Sequence, residues 1–305
     1  MKKKTLGLML LALALMMTAV FAGCTSTTAT TTTTPAETTT AAQQDETTAP
    51  QAEDDATTTA AAAGSDDSLN YVKDKGTLVL GLDDSFPPMG YRDENNNIVG
   101  YDIDLATEVC KRLGVELTLQ PIDWTAKENE LNTKKIDCIW NGMSIDEERK
   151  QNMTLSIPYL DNSMSFVVKS DSGIKTLADM AGKKLALQSG STAATALDEA
   201  ADFKATLGEV VGLKDNMTAL MDLEMGGVDV VLMDDVVANY YIATNNKPFV
   251  LLEETLSTEE YAVGFRKGDE ALANAVNEAL QEMAKDGTLN EITQKWFGKD
   301  NTKIQ

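Results

Sequence analysis

Between Ile139 and Arg149 the chain reads I-W-N-G-M-S-I-D-E-E-R: an apolar strand that stops at Gly142, then Ser144, then an arginine inside the next turns. Ser144-x-x-Glu147 matches the capping box, in which a serine oxygen accepts one of the orphan backbone N–H groups that open a helix. The N–H groups left over point outward with partial positive charge. Arg149 adds a planar fork able to grip a carboxylate through two parallel hydrogen bonds. The chemistry this segment could do is capture of a small carboxylate, rather than nucleophilic attack or metal binding. The same residues also suit a plain capped helix whose arginine pairs with Asp146, Glu147 and Glu148 on a solvated face.

Polar and aromatic residues gather in the same way after other apolar runs. Asp83, Asp84, Ser85 and Phe86 follow 77–82, and Trp124 follows 116–119 as a large loop aromatic. Gln188-Ser189-Gly190-Ser191-Thr192, a strand-to-helix turn of the anion-binding type, follows 185–187, and Asp234 and Asp235 follow 228–233. Singly, each Asp or Ser is a helix cap and Trp124 a sheet-edge packer. Together they offer one arginine, two helix N-termini, two aromatics and several carboxylates, a set suited to a zwitterion with a flat or extended side chain.

Hydrophobic periodicity supplies the frame for these loops. Strand patterns at 77–82, 116–119 and 136–140 alternate with helical spacing at 101–113 and 126–133, and a turn-rich hairpin insert surrounds 93–97. A second series follows, with strands at 185–188, 208–211, 228–233 and 249–252 and helices at 192–201, 216–226 and 236–244. A strand at 261–265 and helices at 271–285 and 289–297 finish the chain. Such alternation predicts an α/β fold with parallel sheets flanked by helices and ligands at the carboxyl ends of strands.

Composition removes several functions. The chain has no histidine, which excludes Ser-His-Asp and Cys-His catalysis and leaves only carboxylates or thiolates as metal ligands. Neither a metal nor a cofactor is expected. A formal charge of −22 argues against nucleic acid and other polyanions as partners. Cys110 and Cys138, the cysteines of the folded part, are either a disulfide or two buried thiols.

The N-terminal end reads as an export signal. Lys2, Lys3 and Lys4 precede an apolar run from Leu6 to Phe21, right for a secretory signal peptide over 1–23. Phe21-Ala22-Gly23-Cys24 resembles the lipobox of bacterial lipoproteins, which makes Cys24 the lipidation site; ordinary cleavage with a free Cys24 is the alternative. Residues 24–67 are mainly Thr, Ala, Gln, Pro and acids, unable to bury a core. As a flexible coil they would reach on the order of 35 Å, a tether whose threonines permit glycosylation.

From Gly100 to Leu113 the chain reads G-Y-D-I-D-L-A-T-E-V-C-K-R-L, which resembles the signature of family 3 extracellular solute-binding proteins, the polar amino acid receptors of ABC importers. D-D-S-F-P-P-M at 83–89, K-I-D-C-I-W-N-G-M-S-I-D-E-E-R at 135–149 and Y-A-V-G-F-R-K-G-D at 261–269 support the likeness, which spans about 69–299. The resemblance implies a two-lobed periplasmic-binding-protein-like fold of type II with two crossover hinge strands. Lobe 1 would be 69–162 plus 258–305, and lobe 2 would be 163–257. It further implies that Arg149 and the Ser144 backbone bind the ligand α-carboxylate, helped by Ser191 and Thr192, while Asp234 takes the α-ammonium with the Gly142 carbonyl. Phe86 and Trp124 would enclose the side chain, and Asp83 and Asn141 would read its polar tip. Trp140 and Asn141 depart from the small or hydroxylic residues of some relatives. The expected protein is a non-enzymatic, lipid-anchored receptor on the outer face of the cell membrane, with a polar amino acid and an ABC transporter permease as partners. The alternatives are an exported enzyme of the same fold, of the cyclohexadienyl or arogenate dehydratase kind, and a sensory ligand-binding subunit. The enzyme would need a carboxyl held protonated in a wet, acidic cleft.

Overall fold

Thr77–Leu82 (TLVLGL) and Val230–Asp234 (VVLMD) are near-continuous apolar runs because each lies inside a five-stranded sheet. Both sheets are mixed rather than parallel as expected, with two parallel and two antiparallel pairings each. The computed structural model describes residues 66–299 and 302–304, so the signal peptide, Cys24 and nearly all of the tether lie outside the described residues.

The first series opens with helix α1 (Ser68–Lys75) and strand β1 (Thr77–Leu82), then β2 (Ser85–Phe86), β3 (Gly90–Arg92), β4 (Ile98–Val99) and helix α2 (Tyr101–Leu113). Strand β5 (Glu116–Pro121), a 3₁₀ turn (Trp124–Ala126), α3 (Lys127–Asn132), β6 (Cys138–Ile139), α4 (Glu147–Asn152) and β7 (Met153–Leu155) follow. The second series is β8 (Leu160–Lys169), a 3₁₀ turn (Leu177–Met180), β9 (Lys184–Gln188), α5 (Thr192–Glu199), α6 (Ala201–Lys204), β10 (Glu209–Leu213) and α7 (Asn216–Met225). It continues through β11 (Val230–Asp234), α8 (Asp235–Asn245) and β12 (Phe249–Tyr261), after which β13 (Gly264–Arg266), α9 (Glu270–Asp286) and α10 (Thr288–Phe297) close the chain.

Two five-stranded sheets result, in the orders β5-β1-β6-β13-β7 and β10-β9-β11-β8-β12, with β2-β3-β4 as a small antiparallel insert. Strand β1 runs parallel to β5 and β6, and β9 parallel to β10 and β11. The chain passes between the sheets twice, through β8 and β12, which pair antiparallel from Lys169–Phe249 to Leu160–Tyr261. These are the two crossover strands of a type II, two-lobed α/β architecture.

Helix α2 forms over the span its periodicity predicts, with Gly100 before it and Gly114 in the left-handed C-cap conformation. Gly100 has φ +154°, and a Cβ there would meet the Met89 carbonyl oxygen at 2.1 Å. Met89 itself accepts from Asp102 N–H at 3.0 Å, so this glycine lets the hairpin lie directly against the helix start. Several expected boundaries move. The strand at 136–140 shrinks to Cys138–Ile139, the helix at 126–133 splits into the 3₁₀ turn and α3, and 249–252 proves to be the start of the long β12. Cys110 and Cys138 are buried free thiols, the second of the two readings.

Candidate functional site

Arg149 sits on α4, but the helix is opened by Asp146, whose Oδ1 accepts the Arg149 N–H at 2.7 Å. The expected capping box on Ser144 is therefore not formed. Ser144 lies two residues earlier, in an extended bridge opposite Tyr261 that is held by the flanking bonds Ala262 N–H to Met143 O at 2.9 Å and Ile145 N–H to Glu260 O at 2.8 Å, and that keeps it out of the helix start. Its carbonyl accepts from Arg149 Nη1 at 2.6 Å, and Arg149 Nε stands 3.4 Å from Asp146 Oδ2. Arg149 is only 5% exposed, so the solvated-face reading fails while the pairing with Asp146 stands. Burial pulls its pKa below the usual value against the opposing pull of Asp146.

The facing wall comes from the second sheet. Ser191 precedes α5, its hydroxyl donating to Gln188 O at 2.7 Å, and the Thr192 hydroxyl donates to Glu259 at 2.9 Å. Both hydroxyl protons are thus committed elsewhere. What this corner offers an anion is the backbone N–H groups of the first turn of α5, which have no partner inside the helix. Asp234, at the end of β11, accepts from Tyr261 Oη at 2.7 Å and Asn162 Nδ2 at 2.8 Å. Both donors end on Oδ1, and neither takes Oδ2. Burial pushes its pKa up to about 7.

Asp83 closes the remaining end. Its carboxylate accepts from Ser85 N–H at 2.9 Å and from Gln188 Nε2, on the other sheet, at 2.8 Å. Burial raises its pKa to about 6. Asn141 Oδ1 accepts the Asp83 N–H at 3.0 Å, so Asn141 holds the Asp83 loop in place. Asp83, Phe86, Trp124, Asn141, Gly142, Ser144, Arg149, Ser191, Thr192 and Asp234, every ligand-site residue singled out in the sequence, line one narrow cavity. Gln188 lines it as well and was not singled out, although it stood in the quoted turn directly after an apolar run. Two aromatics need correction. Trp124 is not an exposed loop residue but 7% exposed, packed with Leu131, Ile136 and Met143 while it faces the cavity. Trp140 is wholly buried in the main core and takes no part in the lining.

Gly142 has φ +56°, a conformation that favours glycine, and a Cβ there would meet Phe86 Cε1 at 2.8 Å. Its N–H donates at 2.7 Å to Asp102 Oδ2, which also accepts from Tyr159 Oη at 3.0 Å. The Trp140 indole N–H lies near enough to act on the Asp102 charge but outside hydrogen-bond geometry. No cation pairs with this carboxylate among the described residues, and burial raises its pKa from 3.8 to about 7. A folded pKa above the unfolded one means that this group's contribution is fully present below about pH 4 and is lost as pH rises through 7. Asp102→Asn is expected to flatten the stability–pH curve over that window by about 4 kcal/mol relative to wild type, read by denaturant unfolding at fixed pH steps. Parallel curves for the two proteins would refute it.

Two sheets joined by two crossover strands, with a buried charged cavity at strand ends between them, define a bilobal ligand-binding protein. The chain belongs to the bacterial extracellular solute-binding proteins, family 3, whose family model matches residues 78–299. It is 35% identical over 237 residues to the L-cystine-binding protein TcyJ of Escherichia coli (strain K12), covering 77% of this chain and 88% of that protein. It is 31% identical over 225 residues to the ABC transporter arginine-binding protein 1 of the same strain, covering 72% of this chain and 90% of that one. Among solved structures it is similar to an ABC uptake transporter substrate-binding protein from Streptococcus pneumoniae with bound histidine. There the identity is 36% and the TM-score 0.76, over 78% of this chain and 99% of that one.

Proposed function

We propose that the protein is an extracellular, lipid-anchored receptor that traps a polar amino acid between its lobes and delivers it to an ABC importer. Lobe 1 is 69–162 with 258–305, and lobe 2 is 163–257. Cys24 carries the lipid, and the segment after it tethers the body to the outer face of the membrane. The observation that carries the reading is opposite charge on facing walls of one dry cavity, Arg149 with the start of α5 at one corner and Asp234 at another. A zwitterion pairs both. Either charge left alone there costs several kcal/mol. In this reading Arg149, the Ser144 backbone and the first turn of α5 at Ser191 and Thr192 hold the α-carboxylate. Asp234 and the Gly142 carbonyl hold the α-ammonium, and Phe86 and Trp124 enclose the side chain.

Asp83 sets the preference. A zwitterion balances Arg149 and Asp234 and leaves Asp83, ionised above about pH 6, facing the side-chain tip beside Gln188. Donor-bearing or cationic tips answer it, whereas a carboxylate tip sets two negative charges together.

The test is a thermal-shift screen of the protein amino acids plus L-cystine. Arginine, lysine or glutamine is expected to stabilise, by about 2.7 kcal/mol at a hundredfold excess over Kd. Stabilisation by glutamate or aspartate alone contradicts the Asp83 assignment, and stabilisation by nothing contradicts the function. Asp83 and Asp234 are 7% and 5% exposed, and burial raises their pKa to about 6 and about 7. Those values suit a general acid, so the same protein should be incubated with prephenate and arogenate. Product formation would establish the dehydratase reading instead.

A further inference from the structure

Outside the cavity lining, a second contact ties the two halves together beside the carboxylate corner. Lys127, the first residue of α3, is 6% exposed. Its ammonium donates to Trp124 O, in its own turn, at 3.2 Å and to Gly190 O, across the cleft, at 3.0 Å. It also stands 5.2 Å from the Trp124 ring centroid. Gly190 adopts φ +72°, and a Cβ on it would lie 3.4 Å from Thr125 Cγ2, so the two loops already touch.

A buried ammonium held by carbonyls is costly, because carbonyl dipoles replace the lost hydration only in part. Burial, with Arg149 as the second cause, pushes the Lys127 pKa down to about 8. Among the described residues of its own lobe the ammonium contacts the Trp124 carbonyl and ring, while Glu128, Asp146 and Glu148 act on it through charge alone, and the approach of Gly190 completes its shell. Gly190 directly precedes Ser191 and the first turn of α5. The bond therefore exists only while the cleft is closed, and it fixes the element that presents backbone N–H groups opposite Arg149.

We propose that Lys127 is a positioning residue of the closed state, which fastens the start of α5 over the carboxylate corner through the Gly190 carbonyl and touches no ligand atom. This rests on the amino-acid-binding reading. Because the contact forms after encounter, its loss acts on ligand release and not on association. The measurement is stopped-flow tryptophan fluorescence, using whichever compound of the protein amino acids plus L-cystine stabilises wild type most.

Lys127→Met is expected to raise the dissociation rate about tenfold or more and to change the association rate less than about threefold. Lys127→Arg, which keeps charged donors within reach of Gly190, restores most of the slow release. Lys135→Met, which removes an exposed pair with Glu130 just beyond the same helix, leaves both rates unchanged. If Lys127→Met does not fold, Lys127→Gln carries the same comparison. Release as slow as wild type, or a defect confined to association, overturns the inference, as does Lys127→Arg releasing as fast as Lys127→Met. A wild type that nothing in the panel stabilises brings down the functional reading and this one with it. A wild type that binds, paired with a Lys127→Met variant of unchanged release, removes this one alone.

Discussion

Arg149→Ala is expected to weaken amino acid binding at least roughly thirtyfold by titration calorimetry while the ligand-free protein unfolds cooperatively near the wild-type temperature. Deleting one partner of a buried charge pair costs about 2–5 kcal/mol, because the ligand carboxylate is then desolvated without its counter-charge. A micromolar complex of about 8 kcal/mol would weaken roughly thirtyfold to several thousandfold. The fold should survive, since what Arg149 leaves behind inside the protein is a Ser144 carbonyl and the Asp146 carboxylate, whose side chain is 22% exposed and can take water. Arg149→Lys keeps the charge but loses the two-pronged geometry, so it belongs between the two. Undiminished affinity in Arg149→Ala would sink the assignment of the carboxylate corner.

The parts of the site that could be read in the sequence share a physical property. Asp83, Gly142, Ser191, Thr192 and Asp234 sit where an apolar run meets a polar turn, and each such junction follows the carboxyl end of a strand, while Arg149 was read from the motif that continues after β6 into α4. The main helices and the parallel strands were legible for the related reason that burial leaves a pattern, a helical period in α2 and a continuous apolar run in β11. Strands β8 and β12 were not. Both are long and cross from one sheet to the other, so their surroundings change along their length, and β12 carries Glu253, Glu254, Glu259 and Glu260 through its exposed or half-buried stretch. Only the family resemblance supplied the crossovers.

Residues defined by partners far away in sequence were illegible too. Gln188 is made a site residue by Asp83, Lys127 by Gly190, and Asp102 by Gly142 and Tyr159, and no local spacing encodes those pairings. The Ser144 cap failed for a similar reason. The pairing of Ser144 with Tyr261, remote in the chain, outcompetes a local motif, and Asp146 takes over the capping.

In the proposed reading Asp234 is expected to make binding depend on pH in a direction opposite to the slope that Asp102 gives to folding. In the empty cavity burial holds its pKa near 7, with Tyr261 and Asn162 as neutral donors and no ion pair to it among the described residues. A ligand ammonium beside Oδ2 favours the ionised form and draws that pKa down. Bound protein therefore carries fewer protons than empty protein, and affinity must rise with pH wherever the two differ. Affinity is expected to be highest near pH 8, below the range where the ligand ammonium itself deprotonates, and to fall as pH drops through 7, approaching tenfold for each further pH unit until the bound form also titrates. Calorimetry near pH 6.5 in buffers of differing ionisation enthalpy should register proton release on binding. Asp234→Asn should weaken binding by about 2–5 kcal/mol at pH 8 and remove the acid limb that begins near pH 7, leaving the limb near pH 6 that Asp83 gives on meeting a cationic tip. An acid limb that still begins near pH 7 in Asp234→Asn would take the ammonium away from Asp234.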